Sequence, residues 1–465
     1  MAKQSNIQGN YNIVIQDVSK STIKIEVNGE LLEIKRQLTE LKALLKKYGT
    51  QDVQYAEKVY NIDHIDEANF GIALSNRDFN GVLSKELIEV IKEKNATKEF
   101  LKNIPSEDKN NWESVRNHLK EAQRILESSF VWVISWELRR LFSIGNDRNK
   151  RVETKIDEYI SHCFMTYRHS LQLVNCLFLS KLWDEKKKNP ELHTSQEPIK
   201  KFFTTNRPLK LVELRDLFQT LIEIFKNNKL ELPIDKIELG DIDRYMNPNS
   251  KFSRTCESLE ELEAMDPTTE SYGLGHCHTA EIGLSAILTD FSFFSTYKLT
   301  TMGKVEYEQM RNTPPRYIKD FKVLEKEHGR ALLRLLKYDK KPTLTYAVLF
   351  NNTENAVNLF PFILDYNALI SEKDFQIYSY ECQENNTGLR FFSIKNETEE
   401  TIYYRATETN IKEVKSEEQK MEEQKKIRLD LVIKQFEKVF KTILDEDVQF
   451  TPIDSGAESD NYDYV

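Results

Sequence analysis

The chain has little of what marks a secreted, membrane-spanning or nucleotide-hydrolysing protein. Its five cysteines, Cys163, Cys176, Cys256, Cys277 and Cys382, follow no repeated spacing, so reduced thiols in a cytoplasmic protein are expected rather than a disulfide framework. The opening MAKQSNIQGN holds one lysine and no apolar stretch, so a secretory leader is not expected. The longest apolar runs are residues 130–136, too short to span a bilayer, and residues 163–183, broken by Arg168 and His169. No membrane partner follows. Only 14 glycines and 12 prolines occur, too few for a low-complexity chain. Neither G-x-x-x-x-G-K-[ST] nor G-x-G-x-x-G is present, nor G-x-S-x-G, nor H-E-x-x-H. The common phosphate-cradling loops, nucleophile elbow and zinc helix are therefore missing.

What is present is material for packing. Of 465 residues 39% are hydrophobic, with 25 Phe and 20 Tyr, and a chain this long exceeds the roughly 250–300 residues that one core can serve. Several folded units are expected. The formal net charge of -9 provides no global attraction to phosphate backbones, so a nucleic-acid partner is not expected.

Residues 7–28 alternate apolar and polar side chains at Ile13 and Ile15 and again at Ile23 and Ile25, the period of half-buried strands joined by a turn. An isolated hairpin is marginal in water, so this unit must dock on something. Next come Leu31, Ile34, Leu38, Leu41 and Leu45 at spacings of three and four, a seam with charged flanks that suits either a short coiled coil or an amphipathic helix on the next domain. These nine apolar residues are the candidate partner-binding surface.

Residues 51–75 read as a linker. Helical periodicity then runs from residue 76 to about 235, broken by the polar loop 186–198, and predicts a helical bundle. From 236 to 412 strand-like runs at 344–350, 375–380, 389–394 and 401–405 predict an antiparallel sheet carrying helices, because no strand-helix-strand repetition is visible. Residues 413–447 form an amphipathic final helix, and 448–465 an acidic, disordered tail. The fold class is thus mainly α with an α+β C-terminal part.

Reactive side chains are densest in GLGHCHTAE at 273–281. If extended, the segment aims His276 and His278 the same way, and one divalent metal could be held with Glu281 or Asp290; if it opens a helix, a capped helix start is the better reading. The metal is expected only in the first case. No other cofactor is predicted. Cys163, beside His162, lies on an apolar helix stripe and reads as a buried thiol. Arg311, Pro314, Pro315, Arg316 and Tyr317 make a stiff loop that could clamp an anion or simply turn the chain. Asp365 in an apolar run reads as a helix cap. Lys186–Lys188, Lys200, Lys201, Phe202, Phe203 and Arg207 make a local basic patch with aromatics, read as a solvated loop unless it forms one contiguous face.

IQGNYNIVIQDVSKSTIKIEVNGE at 7–30, followed by the leucine-rich helix, resembles the short β modules that front many bacterial proteins of conflict, or anti-phage defence, systems. AEKVYNIDHIDEANF at 56–70 is similar to the linker beside such modules. Proteins of this kind often carry anti-phage effectors or signalling ATPases. The resemblance implies a component that self-associates or docks a protein partner through its N-terminal module, and it assigns no catalytic residue. The leading expectation is therefore a scaffold or sensor of a defence-like system. A metal-dependent hydrolase or nuclease with its site near His276, His278 and Glu281 is the alternative.

Overall fold

A computed structural model describes residues 22–25, 52–55, 76–94, 112–146, 151–265, 272–313, 316–324, 332–335, 346–352, 355–370, 375–384, 387–395, 398–403, 417–448 and 450. The chain divides into two compact units, Met1–Ser75 and Asn76–Val465.

In the first unit, β1 (Thr22–Ile25) pairs in parallel with β2 (Asp52–Tyr55), setting Ile23 opposite Val53 and Ile25 opposite Tyr55. Ile13, Ile15 and the seam from Leu31 to Leu45 lie outside the described residues.

The second unit is mostly helical. Its helices are α1 (Asn76–Lys94), α2 (Trp112–Ser129), α3 (Trp132–Asn146), α4 (Val152–Lys188), α5 (Glu197–Thr204), α6 (Leu211–Asn227), the short α7 (Lys236–Leu239) and α8 (Asp243–Met246), then α9 (Lys251–Ala264) and α10 (Leu274–Asp290). In α1, Phe79, Leu83, Leu87, Ile88 and Ile91 are all buried, the three-and-four spacing of a single core-facing stripe. The long α4 contains neither glycine nor proline, which lets it run about 55 Å without a break. Glu153 in its first turn and Lys186–Lys188 in its last complement the helix dipole, and Pro190 follows its end, where a helix cannot continue. Helix α10 is central, packed by α1, α4 and α9. It approaches α9 so closely that a Cβ on Gly283 would stand 2.9 Å from Leu259 Cγ.

Two antiparallel sheets follow. The five-stranded sheet has the order β5-β4-β3-β6-β7, with β3 (Lys298–Glu308), β4 (Arg316–Val323), β5 (Leu332–Leu335), β6 (Val348–Asn351) and β7 (Ala356–Asn358). The other has the order β11-β10-β9-β8, with β8 (Ile363–Asp365), β9 (Ile377–Glu384), β10 (Gly388–Ser393) and β11 (Thr398–Tyr403), and an Ala347–Leu364 bridge links the two. A single turn of helix, α11 (Tyr366–Ile370), follows β8. The anticipated meander is β9–β11, whereas the run at 344–350 lies as β6 in the other sheet, beside a β3–β4 hairpin that the sequence pattern does not announce, so there are two sheets where one was expected. The hairpin's strands mix charged and apolar residues (KLTTMGKVEYE and RYIKDFKV), so they do not stand out by hydrophobicity.

The final helix α12 (Glu417–Val439) and the wide turn Phe440–Leu444 close the unit. Phe436 inserts between Phe362, Tyr380 and Phe391, its ring centroid 4.6 Å from that of Tyr380. The amphipathic stripe read in the sequence therefore packs on the four-stranded sheet. No described helix is long and apolar enough to cross a membrane.

Candidate functional site

The segment 273–281 opens helix α10, so its residues are arranged by helical rather than strand geometry. Residues two apart on a helix point about 200° apart, and His276 and His278 therefore cannot face one ion from the same side. His276 Nδ1 accepts the Gly273 N–H at 3.0 Å, returning on its own helix start, and its ring lies edge-on to Tyr272. Cys277 is buried with Ile156 O at 3.9 Å from its sulfur. Burial, then the nearby Glu281 and Asp157, push its thiol up to about 12, the opposite of what a nucleophile needs.

Glu281 has a defined structural task. One of its oxygens, Oε1, accepts the backbone N–H groups of both Val82 and Leu83 at 2.9 Å. The Phe79 carbonyl, four residues before the Leu83 amide, accepts the Tyr159 hydroxyl. Two α1 backbone groups on either side of Gly81 are thus tied to side chains from elsewhere in the unit. Asp290 lies nine residues along α10, about 13 Å from Glu281 along the axis, and pairs with Arg244 at 3.4 Å. Among the described residues, no group of three His, Cys, Asp or Glu is placed to hold a metal.

The other sequence candidates are also placed. Asp365 Oδ1 accepts the N–H of Ala368 at 3.4 Å and of Gln376 at 3.1 Å, the cap that the sequence suggests, and burial raises its carboxyl to about 6. Arg311 is exposed at the β3–β4 tip beside Asn312, which takes φ 67°. Pro314 and Pro315 lie outside the described residues. Phe202 and Phe203 face the core, against Tyr380, Phe362 and Phe440, so they present no stacking surface beside the lysines.

A cluster that sequence reading passed over lies between α3 and α4. Glu137, 1% exposed, stands between His169, with Nδ1 3.2 Å from Oε1, and His162, with Nδ1 3.7 Å from Oε2. Burial pulls this carboxyl upward, yet the two imidazoles outweigh it, and with Arg140 they hold it down at about 2. A carboxylate fixed against an imidazole is how a general base is oriented. His162 is the more exposed of the pair, at 23%. A glutamate interrupting the apolar run 130–142, with two histidines seven apart on one helix face, was the available signal. No family model, curated protein or solved structure matches this chain.

Proposed function

We propose that this protein is an interaction component, a scaffold or sensor of a bacterial defence-like system, that uses residues 1–48 to self-associate or dock a protein partner. The observation that carries the reading is where the reactive side chains that the sequence singled out in the second unit are spent. Glu281 caps two backbone amides of α1, His276 caps its own helix, and all five cysteines are buried. These groups hold the fold together rather than face a substrate. The leucine seam and the alternating isoleucines concentrate apolar residues in a unit of only 75 residues, a size at which a lone hydrophobic core is marginal. Association with a second chain would add to the apolar area such a unit can bury. The defence context rests on the resemblance of residues 7–48 and 56–70.

The test is native mass measurement and co-purification of the full chain against a chain lacking residues 1–49. The shortened chain is expected to show a lower oligomeric mass or to lose a stoichiometric partner, while retaining its thermal transition. Equal mass and equal partner recovery in the two preparations would refute the reading.

A further inference from the structure

The basic patch noted in the sequence lies at the end of α4 and on α5, and an acidic segment of the same chain pairs with two of its lysines. Lys186, only 5% exposed, directs Nζ at Leu192 O, 2.6 Å away, and at Asp445 Oδ2, 3.1 Å away. Lys200 Nζ meets Glu446 Oε1 at 2.6 Å, and Lys441 Nζ meets Asp447 Oδ1 at 2.8 Å. Lys187 lies 3.5 Å over the Trp183 ring, where burial and then the approach of Lys438 lower its proton affinity against the pull of Asp184. Lys201 and Arg207 share Glu213 at 2.8 and 2.7 Å. The end of α4, α5 and the end of α12 are thereby joined by cations.

Two kinds of contact hold the acidic segment, and they differ in strength. Phe440, Ile443 and Leu444 are buried, and the Ile443 carbonyl accepts Thr194 Oγ1 at 2.5 Å. Beyond them Asp445, with φ 57°, turns the chain outward. Its carboxylate is 59% exposed and that of Asp447 73%. The Lys200–Glu446 and Lys441–Asp447 pairs are exposed at both ends and contribute little, while the Lys186–Asp445 pair is buried only on its lysine side, so a denser anion can displace the three acids while the apolar anchor stays. Residues 181–213 and 434–447 together carry a net charge of two positive, which becomes five positive without the three acids.

We propose that Asp445, Glu446 and Asp447 form an autoinhibitory latch over a cationic face built by α4, α5 and α12, and that the ligand competing for this face is the phosphate backbone of a nucleic acid. With the latch displaced, Lys186 Nζ keeps the Leu192 carbonyl but loses its carboxylate, and an incoming phosphate oxygen can accept in its place.

The experiment uses the full chain and fluorescein-labelled oligothymidylate, read by anisotropy at about 50 and about 200 mM salt. The triple variant Asp445→Asn/Glu446→Gln/Asp447→Asn is expected to bind at least tenfold more tightly than the parent at the lower salt. Three uncovered cations predict a slope near −2 for a single strand, and so a loss of about twentyfold between the two salt concentrations. Adding Lys186→Gln and Lys200→Gln to the triple variant should abolish the gain. Glu446→Lys keeps the Lys186–Asp445 pair, the one whose lysine is buried, and so protects the fold; it should also bind more tightly than the parent. Folded triple and Glu446→Lys variants that bind no more tightly than the parent would overturn the proposal. So would a gain confined to phosphatidylserine vesicles.

Discussion

Replacing Glu281 by alanine removes the acceptor of two α1 amides, one buried and one half-buried, and the size of the loss follows from that geometry. Val82 N–H and Leu83 N–H each donate to Oε1 at 2.9 Å, and the Leu83 amide is buried. A buried donor left without a partner costs about 1–3 kcal/mol, which applies in full to Leu83 and in part to Val82 and puts the pair at about 3 kcal/mol. At about 2.1 cal/mol/K of unfolding entropy per residue, a unit spanning 76–465 melts with roughly 0.8 kcal/mol/K, and the transition should fall by about 4 °C. Differential scanning calorimetry of the full chain measures this directly. Glu281→Gln keeps an oxygen at the same reach and should lose less than half as much. Added chelator should move neither variant nor parent, because this oxygen is occupied by backbone amides. An alanine variant melting within about 1 °C of the parent would refute the capping role, and a chelator-dependent transition would return Glu281 to the metal reading.

Two further outcomes test other contacts. Gly283→Ala puts a methyl 2.9–3.2 Å from three carbons of Leu259, so despite alanine's better helix propensity it should destabilise by about 1–2 kcal/mol, and Leu259→Ala in the same chain should recover part of that loss in urea unfolding. Glu137 has its carboxyl held at about 2 against an ordinary 4.5, so its stabilisation is complete above pH 4.5 and drains away as pH falls toward 2, by up to about 3 kcal/mol; Glu137→Gln should flatten that part of the stability–pH curve, and an unchanged acid limb would refute the pairing.

What could be read from the sequence depended on whether a pattern was local. The α4 stripe from Ile156 to Leu177 and the α12 stripe through Val432, Phe436 and Val439 are repeats within one element, and both are buried as their spacing implies. The cap at Asp365 was legible for the same reason: the carboxylate and the Ala368 amide are three residues apart. Strand β3 was missed because its apolar residues do not alternate cleanly along KLTTMGKVEYE. Its pairing with β4 and β6 fixes it instead, and pairing partners are not visible in a local window.

The reactive side chains show the same limit in a sharper form. GLGHCHTAE attracted attention because its imidazoles, thiol and carboxylate are crowded in sequence, but helical geometry sends His276 and His278 apart and gives Glu281 to amides 198 and 199 residues away. Glu137 and His169 are 32 residues apart and became neighbours only when α3 packed on α4. Crowding in sequence therefore overstated one cluster and concealed the other. The property that separates them is the unmet demand of a buried charge: Glu137 sits in an apolar run where an ionised carboxylate is costly without cationic or donor partners, and the residues able to meet it had to come from another helix. A charged residue inside an apolar stripe is accordingly a better pointer to a composite site in this chain than reactive residues that happen to be adjacent.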